Sequence, residues 1–272
     1  MKVLRFIIFS FASMFVTSCD NIDFEDRFDE PITTDKGKNV LIEDYTGQKC
    51  SNCPLAHVEI EKLQKTYGKE RIIAVAIHGG PQAVDTGNSK VTGLANEESK
   101  EYNRRLGTFS YPKGVIDRAS GLKDIEKWNS MVVSRFSIRP KLKLSINNIK
   151  VNESTRQLSF SCDVESMVSL NGFLQLWLTE SDIVAPQTLP AVWGGGHKQD
   201  YVHNHVFRAA VNGMEGEQLS LSESHTEAKE YVFNLKEDWD IQNMALVMFF
   251  HNETDGVIQV IDTPVIPNKT KN

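Results

Sequence analysis

Two cysteines, Cys50 and Cys53, stand with two residues between them in "GQKCSNCPLAH", directly before Pro54 and a segment with helical apolar spacing. Thiol exchange needs a thiolate, and a cysteine at a helix N-terminus faces unpaired backbone N–H groups and the positive end of the helix dipole. Cys50 is read as that nucleophile, with Lys49 as a neighbouring cation; Cys53, one turn in, is placed to attack a mixed disulfide and release the substrate. Two other chemistries share the pattern. In an oxidising compartment the pair can be a closed disulfide, and with His57 four residues after Cys53 and His78 at the end of the next strand it can hold a metal.

Other candidates carry less. His203 and His205 alternate on an expected strand beside His197, but no carboxylate or cysteine completes a ligand set, so they are read as structural, and no metal residue is assigned. "WGGGHK" lacks the strand and spacing of a phosphate loop. Cys162 reads as a small buried residue, and Trp177, Trp193 and Trp239 as packing residues.

The elements that must position the cysteines are legible by period. "NVLIEDY" from Asn39 is a short apolar run that turns at Thr46-Gly47; Ala56, Ile60, Leu63 and Tyr67 share a helical face that Gly68 ends. "RIIAVAI" (Arg71 to Ile77) is apolar at nearly every position, as in a strand buried on both faces of a parallel sheet. A helix is expected over about 96–106, closed by Gly107, and another with Ile125, Trp128, Val132 and Phe136 on one face. Beyond Pro140 the period becomes alternating, through Leu142, Leu144 and Ile146, then Leu158, Phe160 and Cys162, with turns at Asn171-Gly172 and Asp255-Gly256. The expected fold class is thus an α/β domain over 38–137 followed by an all-β, immunoglobulin-like sandwich over 138–267.

The chain has 272 residues and 30 basic against 36 acidic side chains. Its first residues combine Lys2 and Arg5 with an apolar run from Phe6 to Val16, too short for a spanning helix, which needs about 20 residues. "VTSC" at 16–19 resembles the lipobox of bacterial lipoproteins, which implies removal of a signal peptide, residues 1–18, and lipidation of Cys19. The mature chain then carries 28 basic against 36 acidic residues, a charge of -8. Such an acidic chain has no electrostatic footprint for nucleic acid; the membrane is met through the lipid anchor. Residues 19–37 are rich in acids and read as a solvated tether. The stretch "DNIDFEDRFDE" also looks like the export tag of surface lipoproteins in the Bacteroidota, with a plain spacer as the alternative.

"VLIEDYTGQKCSNCP", "RIIAVAIH" and "FSYPKGVIDR" together resemble a thioredoxin fold. The resemblance implies that Pro112, after Tyr111, is the cis proline lying against the dithiol, and that Asp44, six residues before Cys50, is the buried proton acceptor. Thioredoxins have Trp before the first cysteine and Gly-Pro between the two, where this chain has Lys49 and Ser51-Asn52. The lipoprotein start, "EDYTGQKCSNCP" and a C-terminal β segment containing "HNHVFR" are together similar to the outer-membrane-protein-28-related family of Bacteroidota lipoproteins. That resemblance implies an outer-membrane lipoprotein. The expected function is thiol–disulfide exchange on protein substrates by Cys50, Cys53, Pro112 and Asp44, with no cofactor. A non-catalytic surface binding or adhesion protein that keeps a structural disulfide is the first alternative, and copper binding at the cysteines the second. Neither substrate nor surface partner is identified by the residues.

Overall fold

The computed structural model describes residues 37–266 apart from 89, 108 and 109. The signal segment, the lipidated Cys19 and the acidic tether to residue 36 lie outside the described residues.

The chain enters on β1 (Val40–Thr46), whose seven residues are all buried, and passes through the cysteines into α1 (Cys53–Tyr67). β2 (Ile72–His78), likewise buried throughout, pairs parallel to β1, with Val40 opposite Ile72. α2 (Glu97–Leu106) begins at Asn96, whose side chain accepts from the Ser99 N–H while Ser99 returns a bond to the Asn96 backbone. It ends at Gly107, which takes the left-handed conformation that a Cβ disfavours. β3 (Lys113–Ile116) pairs antiparallel to β1, and α3 (Trp128–Phe136) follows. The helices expected over this segment are thus present.

The remaining elements are strands: β4 (Leu142–Asn152), β5 (Gln157–Ser166), β6 (Leu170–Glu180), β7 (Ile183–Thr188), β8 (His197–His203), β9 (Val206–Ala210), β10 (Glu217–Leu221), β11 (Thr226–Asn234), β12 (Met244–Asn252) and β13 (Gly256–Pro264). Their pairing overturns the expected fold class. β9 lies between β6 and β2, antiparallel to the first and parallel to the second at Ala76–Val206. One mixed sheet therefore runs β13-β12-β6-β9-β2-β1-β3, with β10 on β6. The chain is a mostly β protein of mixed sheets, not an α/β thioredoxin-like fold followed by an immunoglobulin-like sandwich. The physical reason is that apolar period reports which faces of a strand are buried, whereas the partner across its hydrogen-bonding edge leaves no periodic trace.

Both faces of this sheet are covered. Val40, Ile42, Ile72 and Ala74 pack under α1 and α3 with Leu63, Trp128 and Val132. On the opposite face Leu41, Tyr45 and Ile73 meet Tyr102 of α2 together with Trp177, Phe207, Val247 and Phe249 from the later strands. A three-stranded sheet, β11-β5-β4, packs Phe160, Cys162 and Val164 against Leu176, Leu178 and Met248. β7 and β8 form a separate two-stranded hairpin.

Candidate functional site

The cysteines sit where β1 stops. Cys50 donates its N–H to Gly47 O at 3.0 Å, and Lys49 N donates to Gln82 O at 2.8 Å, which fixes the turn. Gly47 is required there, because a Cβ would lie 2.7 Å from the carbonyl carbon and oxygen of Gln82. α1 opens at Cys53 with Asn52 as its cap, so Cys50 precedes the helix rather than capping it. Cys50 and Cys53 are joined in a disulfide. Lys49 points to solvent.

The disulfide is covered. Cys50 is 2% exposed and Cys53 fully buried, because the β7–β8 hairpin is bonded to the turn that carries them. Gln187 of β7 donates from Nε2 to Cys50 O at 2.8 Å, and Thr188 N donates to Gln48 O at 2.8 Å. Gln48 reciprocates through Nε2 to Pro186 O at 3.1 Å and also donates to Thr92 O. These two glutamines escaped the sequence reading, since neither titrates and the backbone groups they bond between the turn and the hairpin lie 137 residues or more away.

Asp44 lies on the even-numbered face of β1, with no exposure and no hydrogen-bond partner on either carboxylate oxygen among the described residues. Burial pushes its carboxyl up to about 8, so it holds its proton at neutral pH. His57 Nε2 is 3.7 Å away, too far for a hydrogen bond. The His57 ring is neutral: burial first, then the nearby His203 and His205, bring it down to about 3, and its Nδ1 meets the Tyr201 hydroxyl at 2.8 Å. The pair is therefore a neutral acid beside a neutral imidazole. His203, brought down to about 4 by burial, stands 6.2 Å from the His57 ring and 5.4 Å from the His78 ring. α1, β2 and β8 thus bring together His57, His78 and His203, which lie far apart in the sequence.

The expected alternation of His203 and His205 does not hold, because Asn204 leaves the strand and His205 adopts a positive φ of 56°. His205 lines a cavity of about 40 Å³ with Asp44, His57 and Tyr201, room for a water or two. Among the described residues no three His, Cys, Asp or Glu side chains are arranged to hold a metal ion, and the two cysteine sulfurs are spent on each other. The Tyr111–Pro112 bond is cis. The register Tyr45–Lys113 carries Pro112 to the level of Thr46, where β1 runs into the cysteine turn. Cys162 is a buried free thiol, as expected; Trp193, read as a packing residue, is 44% exposed on the hairpin.

Fold and site define a class: a mixed-sheet β protein in which a disulfide at the end of a central strand is sealed by a hairpin from later in the chain. The chain belongs to the outer membrane protein Omp28 family, whose profile matches residues 99–269. Its place is accordingly the outer membrane. Among solved structures it is similar to HBP35 of Porphyromonas gingivalis, with a TM-score of 0.64 at 16% identity over 87% of this chain and 79% of that one. That likeness is one of fold. A domain of the outer membrane lipoprotein Omp28 from Porphyromonas gingivalis also matches, at 16% identity over 46% of this chain and 87% of the domain, with a TM-score of 0.32. No functionally curated protein matches the chain.

Proposed function

We propose that the protein is an outer-membrane lipoprotein, anchored through Cys19, that acts by binding, and that Cys50–Cys53 is a closed structural link. The observation that carries this reading is the burial of both half-cystines, 2% and 0% exposed, beneath a hairpin hydrogen-bonded to the carbonyl of Cys50. An exchange partner must bring a sulfur in line with the disulfide, and both half-cystines are withdrawn from solvent. Replacing both cysteines with alanine removes a very short loop closure, which contributes about 2 kcal/mol in the chain-entropy account. The double variant should therefore remain folded and reach the outer membrane, with urea unfolding shifted by that amount.

Thiol–disulfide exchange is the second reading, favoured by Asp44, a protonated buried carboxyl on the strand that leads to the cysteines. It requires the hairpin to open. In a Cys53→Ala variant expressed in the native envelope, reducible mixed disulfides through Cys50 would establish exchange and sink the structural reading; their absence supports it.

A further inference from the structure

β1 has a second polar face. Glu43 and Tyr45 alternate with Asp44 and point to the opposite side of the sheet, into a cavity of about 350 Å³. That is within the range of small-molecule sites, roughly 300–1,000 Å³. Its walls are mostly apolar: Tyr102 and Leu106 from α2, Val115 from β3 and Met214 from the β9–β10 loop, with the ion pair Arg105–Glu215 at the mouth.

The floor is organised around Arg118. Asp117 and Arg118 both adopt left-handed backbone, φ 51° and 52°, which non-glycine residues enter at a cost. Asp117 enforces it: its carboxylate accepts from Leu41 N, Lys38 Nζ and Arg135 Nε, each at 2.8 Å, while its N–H donates to Leu41 O. Clamped in this way, the turn sends Arg118 inward over the Trp177 and Phe249 rings. Arg118 Nε donates to Glu43 Oε1 at 2.6 Å, and Nη1 meets His251 Nε2 at 3.1 Å. Glu43 Oε2 takes the Tyr45 hydroxyl at 3.2 Å, so the carboxylate is satisfied. Arg118 Nη2 makes no hydrogen bond among the described residues, and the side chain is 24% exposed.

We propose that this cavity is a binding site for a small uncharged molecule with a compact apolar body and one carbonyl oxygen, which accepts from the free N–H groups of Arg118. Glu43 decides the charge of the ligand. It already neutralises the guanidinium, so a carboxylate ligand would meet a second carboxylate across the same group, whereas a carbonyl takes the hydrogen bond without repulsion. A rigid fork held over aromatic rings is pre-organised for such an acceptor. The site is separate from the disulfide, on the other face of the sheet, and does not depend on how the cysteines are read.

The test uses the full protein in detergent and two probes, phenylacetamide and phenylacetate, titrated by ligand-observed magnetic resonance. Phenylacetamide should bind saturably with a Kd on the order of 1 mM, as expected for about ten heavy atoms. Phenylacetate should bind about tenfold more weakly. Met214→Trp fills the cavity from a loop without touching the Glu43–Arg118 pair, and should abolish binding while leaving the unfolding midpoint in place. If that variant does not fold, Leu106→Trp does the same from α2. Arg118→Lys keeps a cation for Glu43 and should weaken phenylacetamide about tenfold. Absence of saturable binding by phenylacetamide, equal or tighter binding of phenylacetate, or binding that survives a folded cavity-filling variant would each overturn the proposal.

Discussion

Asp44 carries a pH dependence whose sign and size follow from its surroundings. Its carboxyl is fully buried, makes no hydrogen bond among the described residues, and is raised from 3.8 to about 8 by burial. Between those two pH values the unfolded chain has released this proton and the folded chain has kept it. Stability therefore falls as pH rises, because the unfolded state binds fewer protons. No cost is felt below pH 3.8, and the full cost is reached above about 8. At about 1.4 kcal/mol per unit, the window amounts to roughly 6 kcal/mol, of which about 4 is already present at pH 7. The buried histidines act in the opposite direction: His57 and His203, lowered to about 3 and 4, favour the folded state above pH 6.5 and lose that contribution on acidification. Asp44→Asn removes the carboxyl titration and leaves the histidines, so the difference between the two proteins isolates Asp44. Urea unfolding of both at several pH values from 4 to 8 should give nearly equal stabilities at pH 4 and an increasingly stable Asn variant towards pH 8. A difference that stays flat across that range refutes the buried, protonated carboxyl.

The hairpin seal predicts that Gln187→Ala, which strips the donor from Cys50 O, costs about 1–3 kcal/mol. It should also raise the rate at which excess dithiothreitol reduces the disulfide by roughly tenfold, since reduction must await local opening; an unchanged rate would show that the hairpin does not control access. Gly47→Ala places a methyl group 2.7 Å from the Gln82 carbonyl, which backbone cannot relieve cheaply. The expected loss is about 1–3 kcal/mol, read as a lowered Tm together with faster hydrogen exchange at Lys49 N; retention of both would contradict the turn described here.

Much of the first segment was legible because its signals are local. The all-apolar "RIIAVAI" became the fully buried β2, and Asn96 and Gly107 bounded α2; the cis Tyr111–Pro112 bond was an implication of the thioredoxin resemblance, not a reading of local signals. At the candidate site Cys50 and Cys53 are joined, which the sequence offered only as an alternative to exchange, and Asp44 is buried, which only the thioredoxin resemblance implied. Glu43 and Asp44 are neighbours in the sequence, and alternation on a strand sends them to opposite faces, Asp44 towards His57 and Glu43 towards Arg118. What covers the disulfide could not be read, because Gln187 is an unremarkable residue in its own neighbourhood.

By itself the sequence determined the short-range features: the two cysteines three positions apart, the apolar strands that had to be buried, the helix caps and the acidic, lipoprotein-type start. These follow from backbone conformation and side-chain period, which act over a few residues. Only the tertiary structure decided that β9 inserts beside β2 and merges the two segments into one sheet, that the β7–β8 hairpin closes over Cys50–Cys53, and that Arg118 meets Glu43 across the sheet face. Those outcomes depend on which edges and surfaces meet over separations of 75 to 140 residues. Hydrogen-bonding edges and buried contacts are satisfied by whichever distant segment fits them, and that choice is made by the packing of the whole chain.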